Sequence, residues 1–171
     1  MSRSIPSEFL AQIEAHEHWL ASYPEEGKQL DLENADFHDV DLSGKILSDI
    51  ILPGANFNQS ILRGTDFSSA NLYEASFVEA ILDVANLTKA ECVKIRLLGA
   101  NLHNLQALGA NFMRADLRSA NLTNAHLRKV NLMEANLQQA NLTKVDLTKA
   151  NLMEANLQQA KLTEANLQQA S

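Results

Sequence analysis

Large apolar residues recur at every fifth position along this chain. This position, called i here, occurs 28 times, from Leu32 to Leu167. Leu fills 21 of these positions and Phe fills 5, so that only Cys92 and Ala107 depart from the rule. Position i−2 is Ala in 18 repeats, and i−1 is Asn or Asp in 18. A frame kept without insertion over so many repeats indicates a repetitive architecture.

The five-residue period excludes a helix and a flat strand for this region. On a helix a step of five residues turns by ~140°, so the Leu positions would leave no apolar stripe. In a straight strand an odd period would place successive Leu residues on opposite faces. We therefore expect a short extended piece from i−2 to i, followed by a corner at i+1 and i+2. All but one of the six glycines support this corner because they occupy position i+2: Gly44, Gly54, Gly64, Gly99 and Gly109.

Four corners of about 90° would close a coil after twenty residues, and the longest exact repeat has that spacing. The decapeptide NLMEANLQQA occupies residues 131–140 and again 151–160, and we expect its copies in adjacent coils. Phe37, Phe57 and Phe77 have the same spacing and should stack. The 28 repeats then form about seven coils, a rod of roughly 34 Å at ~4.8 Å per coil.

Three irregular repeats test this register. Cys92 should lie one coil from the large Phe112, and Leu105 at i−2 should compensate for Ala107 at i. Lys45 is the one charged residue at an inward position. Its ammonium group is expected to reach toward an open end of the rod.

The two ends of the repeat region differ in sequence. Residues Pro6 to Ser22 predict a helix that ends near Tyr23–Pro24 and lays Phe9, Ile13 and Leu20 over the first coil. The chain therefore divides into a helix and lead-in at 1–29 and a solenoid at 30–171. At the other end the sequence NLQQAS stays in frame with no covering segment. Such an edge favours a homodimer joined through the C-terminal coils.

The motif A(N/D)Lxx, in frame from about residue 30 to 170, resembles the pentapeptide repeat family. The segment HWLASYPEEGKQLDLENADF also resembles the lead-in before many such repeats. The resemblance implies an all-β fold, a right-handed quadrilateral β-helix, here with a short N-terminal helical cap. It implies little about function, since most members have no established biochemical activity. The best-understood members are dimeric quinolone-resistance and gyrase-inhibiting proteins, which imitate duplex DNA with an acidic stripe.

The charge distribution departs from that of a DNA mimic. Residues 1–50 carry 11 acidic and 3 basic side chains, a net of −8, while residues 51–171 carry 10 acidic and 11 basic, a net of +1. Residues 84–131 have seven basic and two acidic side chains, a net of +5. The basic middle lacks the aromatic residues that stack on nucleic-acid bases, so a solvated surface is favoured over nucleic-acid binding. The acidic residues at the N-terminal end are explained either by binding to a basic partner or by their contribution to surface solubility.

Candidate chemistry is sparse, and we predict no catalytic, cofactor-binding or metal-binding residues. His16 and His18 point in different directions on a helix, and surface or cap packing is favoured over metal binding. The other histidines are scattered and outward, and Cys92 is better explained as a buried filler than as a nucleophile. A filled rod also lacks the concave site that enzymes need.

The sequence also gives expectations for the cellular location and the function of the protein. No window approaches eighteen apolar residues, and acidic residues interrupt the N-terminus where a secretory signal would be apolar. Together with a single cysteine, this predicts a cytoplasmic protein without a membrane partner. We expect a non-enzymatic scaffold that binds protein partners on its faces. The alternative is a DNA-mimicking inhibitor or protector of a topoisomerase such as gyrase.

Overall fold

The computed structural model describes residues 4–22 and 28–171. One helix, α1, extends over Ser7–Ala21, within one residue of each predicted end. The predicted stop at Tyr23–Pro24 lies outside the described residues. No helix in the described part of the chain is long and apolar enough to cross a membrane.

The repeat region winds as a coil that closes every twenty residues. Each residue at i−1 in the first six coils forms a parallel bridge with the residue twenty positions later, in 24 bridges from Asp31↔Ile51 to Asp146↔Asn166. Every bridge is isolated, so no longer strand forms within residues 28–171. Four bridges connect each pair of coils, and Asn131↔Asn151 joins the two decapeptides in adjacent coils. The twenty-residue register is confirmed, whereas the right-handed sense of the coil stays a prediction.

The chain turns because position i+2 adopts a left-handed backbone conformation in every repeat. The φ angle is positive at all 28 of these positions, of which 5 are Gly and 23 are not. Glycine therefore correctly marked the corners, but the fold does not require it there. Even Val84 has φ +52, although a β-branched side chain disfavours this region. Hydrogen bonding between coils holds these residues in place.

The repeat at residues 71–75 shows how the backbone is satisfied. Leu72 N and Glu74 N donate to carbonyls of the next coil at 2.8 and 3.0 Å, and Asn71 N donates to the previous coil at 2.8 Å. Ala75 N closes the corner on the Leu72 carbonyl at 3.1 Å. The fifth N–H, that of Tyr73, donates to the side-chain oxygen of Asn71 at 3.2 Å. Asn and Asp at i−1 therefore stabilise the corner, because their side-chain oxygen accepts the one N–H without a backbone partner.

The core is formed by residues i−2 and i. Phe37, Phe57 and Phe77 stack with ring centroids 4.9 and 4.6 Å apart, as predicted. The structure adds two rings, since Phe67 meets two of them edge-on and Phe9 of α1 lies 4.8 Å from Phe37. The compensating residues of the irregular repeats are all buried: Cys92, Leu105, Ala107 and Phe112.

Helix α1 covers the first coil. Ile13 is buried in the core cluster and Phe9 packs against it, whereas Leu20 is half-buried and does not belong to that cluster. Lys45 is explained by α1 as well, because its Nζ lies 3.5 Å from Glu17 Oε1. Its stem occupies the place of an Ala and its charge meets a carboxylate at the capped end.

The last coil has no such cover in this structure. Leu152, Leu157 and Leu162 are only half-buried, and Leu167 is 41% exposed. The backbone N–H groups that would donate to a further coil, among them those of Leu157, Gln159 and Leu162, have no backbone acceptor within the described chain.

Candidate interaction surfaces

The coil presents four faces, which we name by their positions in the first coil. Face A holds positions 31–34, face B 36–39, face C 41–44 and face D 46–49, each repeated every twenty residues. On every face the side chains at i−1, i+1 and i+2 point away from the core. They form columns whose members are ~4.8 Å apart. Any macromolecular contact would involve these columns or one of the two ends.

The acidic residues of the first coil form a ring rather than a stripe. They are distributed over all four faces, and most are exposed: Asp31, Glu33, Asp36, Asp39, Asp41 and Asp49. Asp41 accepts hydrogen bonds from the hydroxyl and N–H of Ser43, which lower the pKa of its carboxyl group. A ring at one end does not reproduce the charge of a DNA duplex along the rod.

The basic middle is divided among faces A, B and D, and much of its charge is paired locally. Lys94 contacts Glu74 at 2.7 Å, and this hydrogen bond raises the pKa of Lys94 and lowers that of Glu74. Arg118 likewise contacts Asp116 at 2.7 Å, and this hydrogen bond lowers the pKa of the Asp116 carboxyl group. These basic residues therefore do not form a single cationic surface, which agrees with the interpretation that they are solvated surface residues.

Amide side chains connect the coils along several columns. Asn131 Nδ2 donates to Asn111 Oδ1 at 3.0 Å, and Asn151 Nδ2 to Asn131 Oδ1 at 3.2 Å, on face A. On face B, Gln138 and Gln139 contact the equivalent glutamines of the next coil at 3.1 and 3.0 Å. These ladders are neutral and regular, and they leave hydrogen-bonding groups at the uncovered last coil.

Side chains that could ligate a metal ion are not clustered in the described part of the chain. No group of three or more His, Cys, Asp and Glu side chains in this part of the chain could hold a metal ion. The depression of about 370 Å³ on face B is lined mainly by glutamines, with Arg118 as its one charged residue. Cys92 is fully buried, and burial raises the pKa of its thiol, which disfavours the reactive thiolate.

His16 packs within the cap, one of the two alternatives that the sequence favoured, and its hydrogen bonds give it a structural role that the sequence did not reveal. It is fully buried between α1 and the first coil. Leu30 N donates to its Nδ1 at 3.0 Å, and its Nε2 lies 2.8 Å from the Ser48 carbonyl oxygen. The ring is therefore neutral with its proton on Nε2, and burial lowers its pKa. The sequence signal for this burial was the helical spacing of His16 from Phe9 and Ile13, which places the three residues on one side of α1.

Comparison with known proteins agrees with this architecture. A family model described as pentapeptide repeats matches overlapping segments that together span residues 31–169, in 8 copies. The chain belongs to the pentapeptide repeat family. Among curated proteins, none matches this chain.

Several solved structures of pentapeptide repeat proteins are similar to this chain. Rfr23 from the cyanobacterium Cyanothece 51142 is 19% identical over 83% of this chain and 84% of its own, with a TM-score of 0.40. HetL from Nostoc sp. strain PCC 7120, a protein involved in heterocyst differentiation regulation, is 26% identical over 90% and 92%, with a TM-score of 0.24. Full-length QnrB1, a plasmid-mediated fluoroquinolone resistance protein, is 16% identical over 81% and 80%, with a TM-score of 0.37.

Proposed function

We propose that this pentapeptide repeat protein is a non-enzymatic scaffold that binds a protein partner on its faces. The observation that supports the proposal most is the filled core: apart from Leu32 and Lys45 at the capped end, residues i−2 and i are buried through six coils. What remains available is a rigid surface with side chains at fixed intervals. Such a surface suits recognition of another macromolecule, because little side-chain and backbone ordering is needed on binding.

The proposed scaffold is a dimer formed through the last coil. Its support is the row of free N–H groups and of half-buried or exposed leucines at residues 152–171, a surface able to continue the bridges of the coil into a second copy. Leu167→Lys would put a charge on this edge and should abolish the dimer formed through the last coil, as measured by sedimentation velocity. A parent protein that is monomeric at millimolar concentration would contradict the dimer while leaving the scaffold proposal intact.

We place the scaffold in the cytoplasm. The lone thiol of Cys92 is consistent with a reducing compartment, since it is buried and has no second cysteine to pair with.

Affinity capture from native cell extract tests the scaffold proposal. The wild-type chain should retain a partner. The variant Leu102→Asp, which should unfold the chain by burying a charge in the core, is the unfolded control and should not retain it. Two double variants then probe the faces. Gln138→Arg with Gln158→Arg adds two positive charges to face B, and Thr143→Arg with Thr163→Arg adds two positive charges to face C. Loss of the partner with one pair and not the other would locate the binding face. If the folded face variants and the unfolded control all capture the same proteins, the scaffold proposal is wrong.

The gyrase alternative is tested separately. The acidic ring of the first coil and the paired basic middle do not favour a DNA mimic, so we expect no inhibition of gyrase supercoiling and no protection from a fluoroquinolone. The measurement is a supercoiling assay with the purified chain in excess over the enzyme. Inhibition in that assay, abolished by Leu102→Asp, would replace the scaffold proposal with the alternative.

A further inference from the structure

Face A carries an apolar column that the fold does not require. Position i+1 on this face is apolar or aromatic in six successive coils: Pro53, Tyr73, Val93, Met113, Met133 and Met153. All methionines of the sequence except Met1 lie in this column. At the equivalent positions of the last three coils, the other faces carry only Arg, Gln and Thr. Since those residues form the same corner, packing inside the rod does not explain the methionines.

The neighbouring column at i+2 carries charge in a definite order. Over the last four coils it reads Lys94, Arg114, Glu134 and Glu154, two cations followed by two anions. Within the chain, Arg114 contacts Glu134 at 2.8 Å and Lys94 contacts Glu74 of the preceding coil at 2.7 Å. Glu154 forms no salt bridge within the described residues and lies at the exposed end of the column.

We propose that the Met113–Met133 region of face A binds a second copy of this chain, side by side and antiparallel. A two-fold axis midway between the coils of Arg114 and Glu134 would place the same columns opposite one another, in reversed order. Arg114 then meets Glu134 of the second copy, and Lys94 meets Glu154. Each cation would therefore share its charge with a second carboxylate in the dimer, besides the one in its own chain. An axis through the coil of Arg114 would instead oppose two arginines, so the charges select one register.

The apolar column fits the same register. Met113 and Met133, both half-buried, oppose each other across the axis. Met153, which is 55% exposed, opposes Val93, which is 9% exposed, so a projecting side chain meets a recessed one. Methionine side chains adapt readily to such a surface.

The contact is small and should be reversible. Four coils at ~4.8 Å give a contact length of ~19 Å, which indicates a small interface and a weak dimer. This interface is distinct from the uncovered edge of the last coil. If both form, the chain assembles beyond a dimer at high concentration.

Reversal of these charges tests the register by sedimentation equilibrium, on chains that also carry Leu167→Lys so that the end-to-end contact does not contribute. Lys94→Glu or Glu154→Lys creates two repulsive contacts per dimer, because the two-fold axis repeats each one, and should weaken dimerisation by about tenfold or more. The combined Lys94→Glu, Glu154→Lys variant restores both attractions and should return affinity to within about threefold of the parent. Lys144→Glu is the matched control, since Lys144 is an exposed i+2 residue that lies 3.8 Å from Glu164 on face C. It should leave dimerisation unchanged.

Thiol cross-linking distinguishes this dimer from the end-to-end one. Chains carrying Lys94→Cys, mixed with chains carrying Glu154→Cys, should link efficiently through a short bismaleimide, while buried Cys92 stays unmodified. Lys94→Cys alone should not link, because its two copies lie three coils, or ~14 Å, apart along the rod. Efficient linking of Glu154→Cys to itself, with none in the mixture, would indicate the end-to-end contact and overturn the proposal. A monomer at millimolar concentration, or a dimer indifferent to the charge variants, would overturn it too.

Discussion

The two copies of NLMEANLQQA have the same sequence and different surroundings. In residues 131–140, Leu132, Ala135 and Leu137 are each 1% exposed, because a coil lies on both sides. In residues 151–160 the equivalent side chains are only half-buried, because one side lacks a covering coil. Local sequence is held constant here, so the difference isolates the contribution of the neighbouring coil. Stability in this protein is therefore a property of stacking rather than of the repeat itself.

The largest expected effect comes from placing a charge in each copy. Leu137→Asp should lower the free energy of unfolding by more than about 4 kcal/mol, since an unpaired carboxylate would be buried. Leu157→Asp should cost only about 1 to 2 kcal/mol, because water reaches the half-buried site. Urea unfolding followed by circular dichroism measures both. Equal losses would show that the last coil is covered in solution.

The capped end provides the next comparison. Ile13→Ala should cost about 3 kcal/mol, since Ile13 is 1% exposed and its loss opens a cavity between α1 and the first coil. Leu10→Ala, on the 36% exposed side of the same helix, is the control and should cost less than about 0.5 kcal/mol. The measurement is urea unfolding at neutral pH. Similar values for the two variants would mean that α1 does not cover the coil.

The capped end should also respond to pH. Burial lowers the pKa of His16 below its ordinary value of 6.5, while the hydrogen bond to the Ser48 carbonyl and the charges of Asp49 and Glu17 partly oppose this shift. The unfolded chain therefore binds more protons than the folded chain as the pH falls through 6.5, and the contribution of His16 to stability is lost in that direction. It is fully present above pH 6.5.

Urea unfolding of the parent between neutral and mildly acidic pH measures this loss. His16→Asn should flatten the pH dependence, whereas His126→Asn, at an exposed site on face D, should preserve it. If His16→Asn leaves the slope of stability against pH unaltered, the buried ring does not respond to pH as described.

The smallest effect is a gain at a corner. Val84 is 54% exposed and holds φ +52, so Val84→Asn should stabilise the chain by about 0.5–1 kcal/mol, because Asn tolerates this conformation better. Thr163→Asn, at an exposed i+1 position with no positive φ, is the control and should change little. Thermal unfolding detects the difference. A lower melting temperature for Val84→Asn would refute strain at this corner.

The sequence predicted the features that depend on period and missed those that depend on single long-range contacts. Position i and its twenty-residue return determine the coil, and the Phe37–Phe57–Phe77 stack follows from them. Five glycines located the corners, yet the left-handed conformation of 23 other residues could not be read from their types. The contact of Lys45 with Glu17 and the burial of His16 depend on how α1 docks, which no repeat encodes.

The candidate surfaces were predictable only in part. The acidic end and basic middle were visible as counts, but their division among faces required the coil register. The apolar column on face A is also encoded at twenty-residue spacing, and it becomes a surface only when Met113, Met133 and Met153 are placed on adjacent coils.

Residue-resolved amide hydrogen exchange on dilute, monomeric protein tests the coil and its open end most directly. Glu134, Leu137 and Gln139 donate their N–H groups to the next coil at 2.9, 2.8 and 3.0 Å. Their counterparts in the second decapeptide, Glu154, Leu157 and Gln159, have no backbone acceptor within the described chain. Slow exchange in the first set and fast exchange in the second is the predicted result. Fast exchange in both sets would contradict the stacking of one copy on the other, and slow exchange in both would contradict the open end.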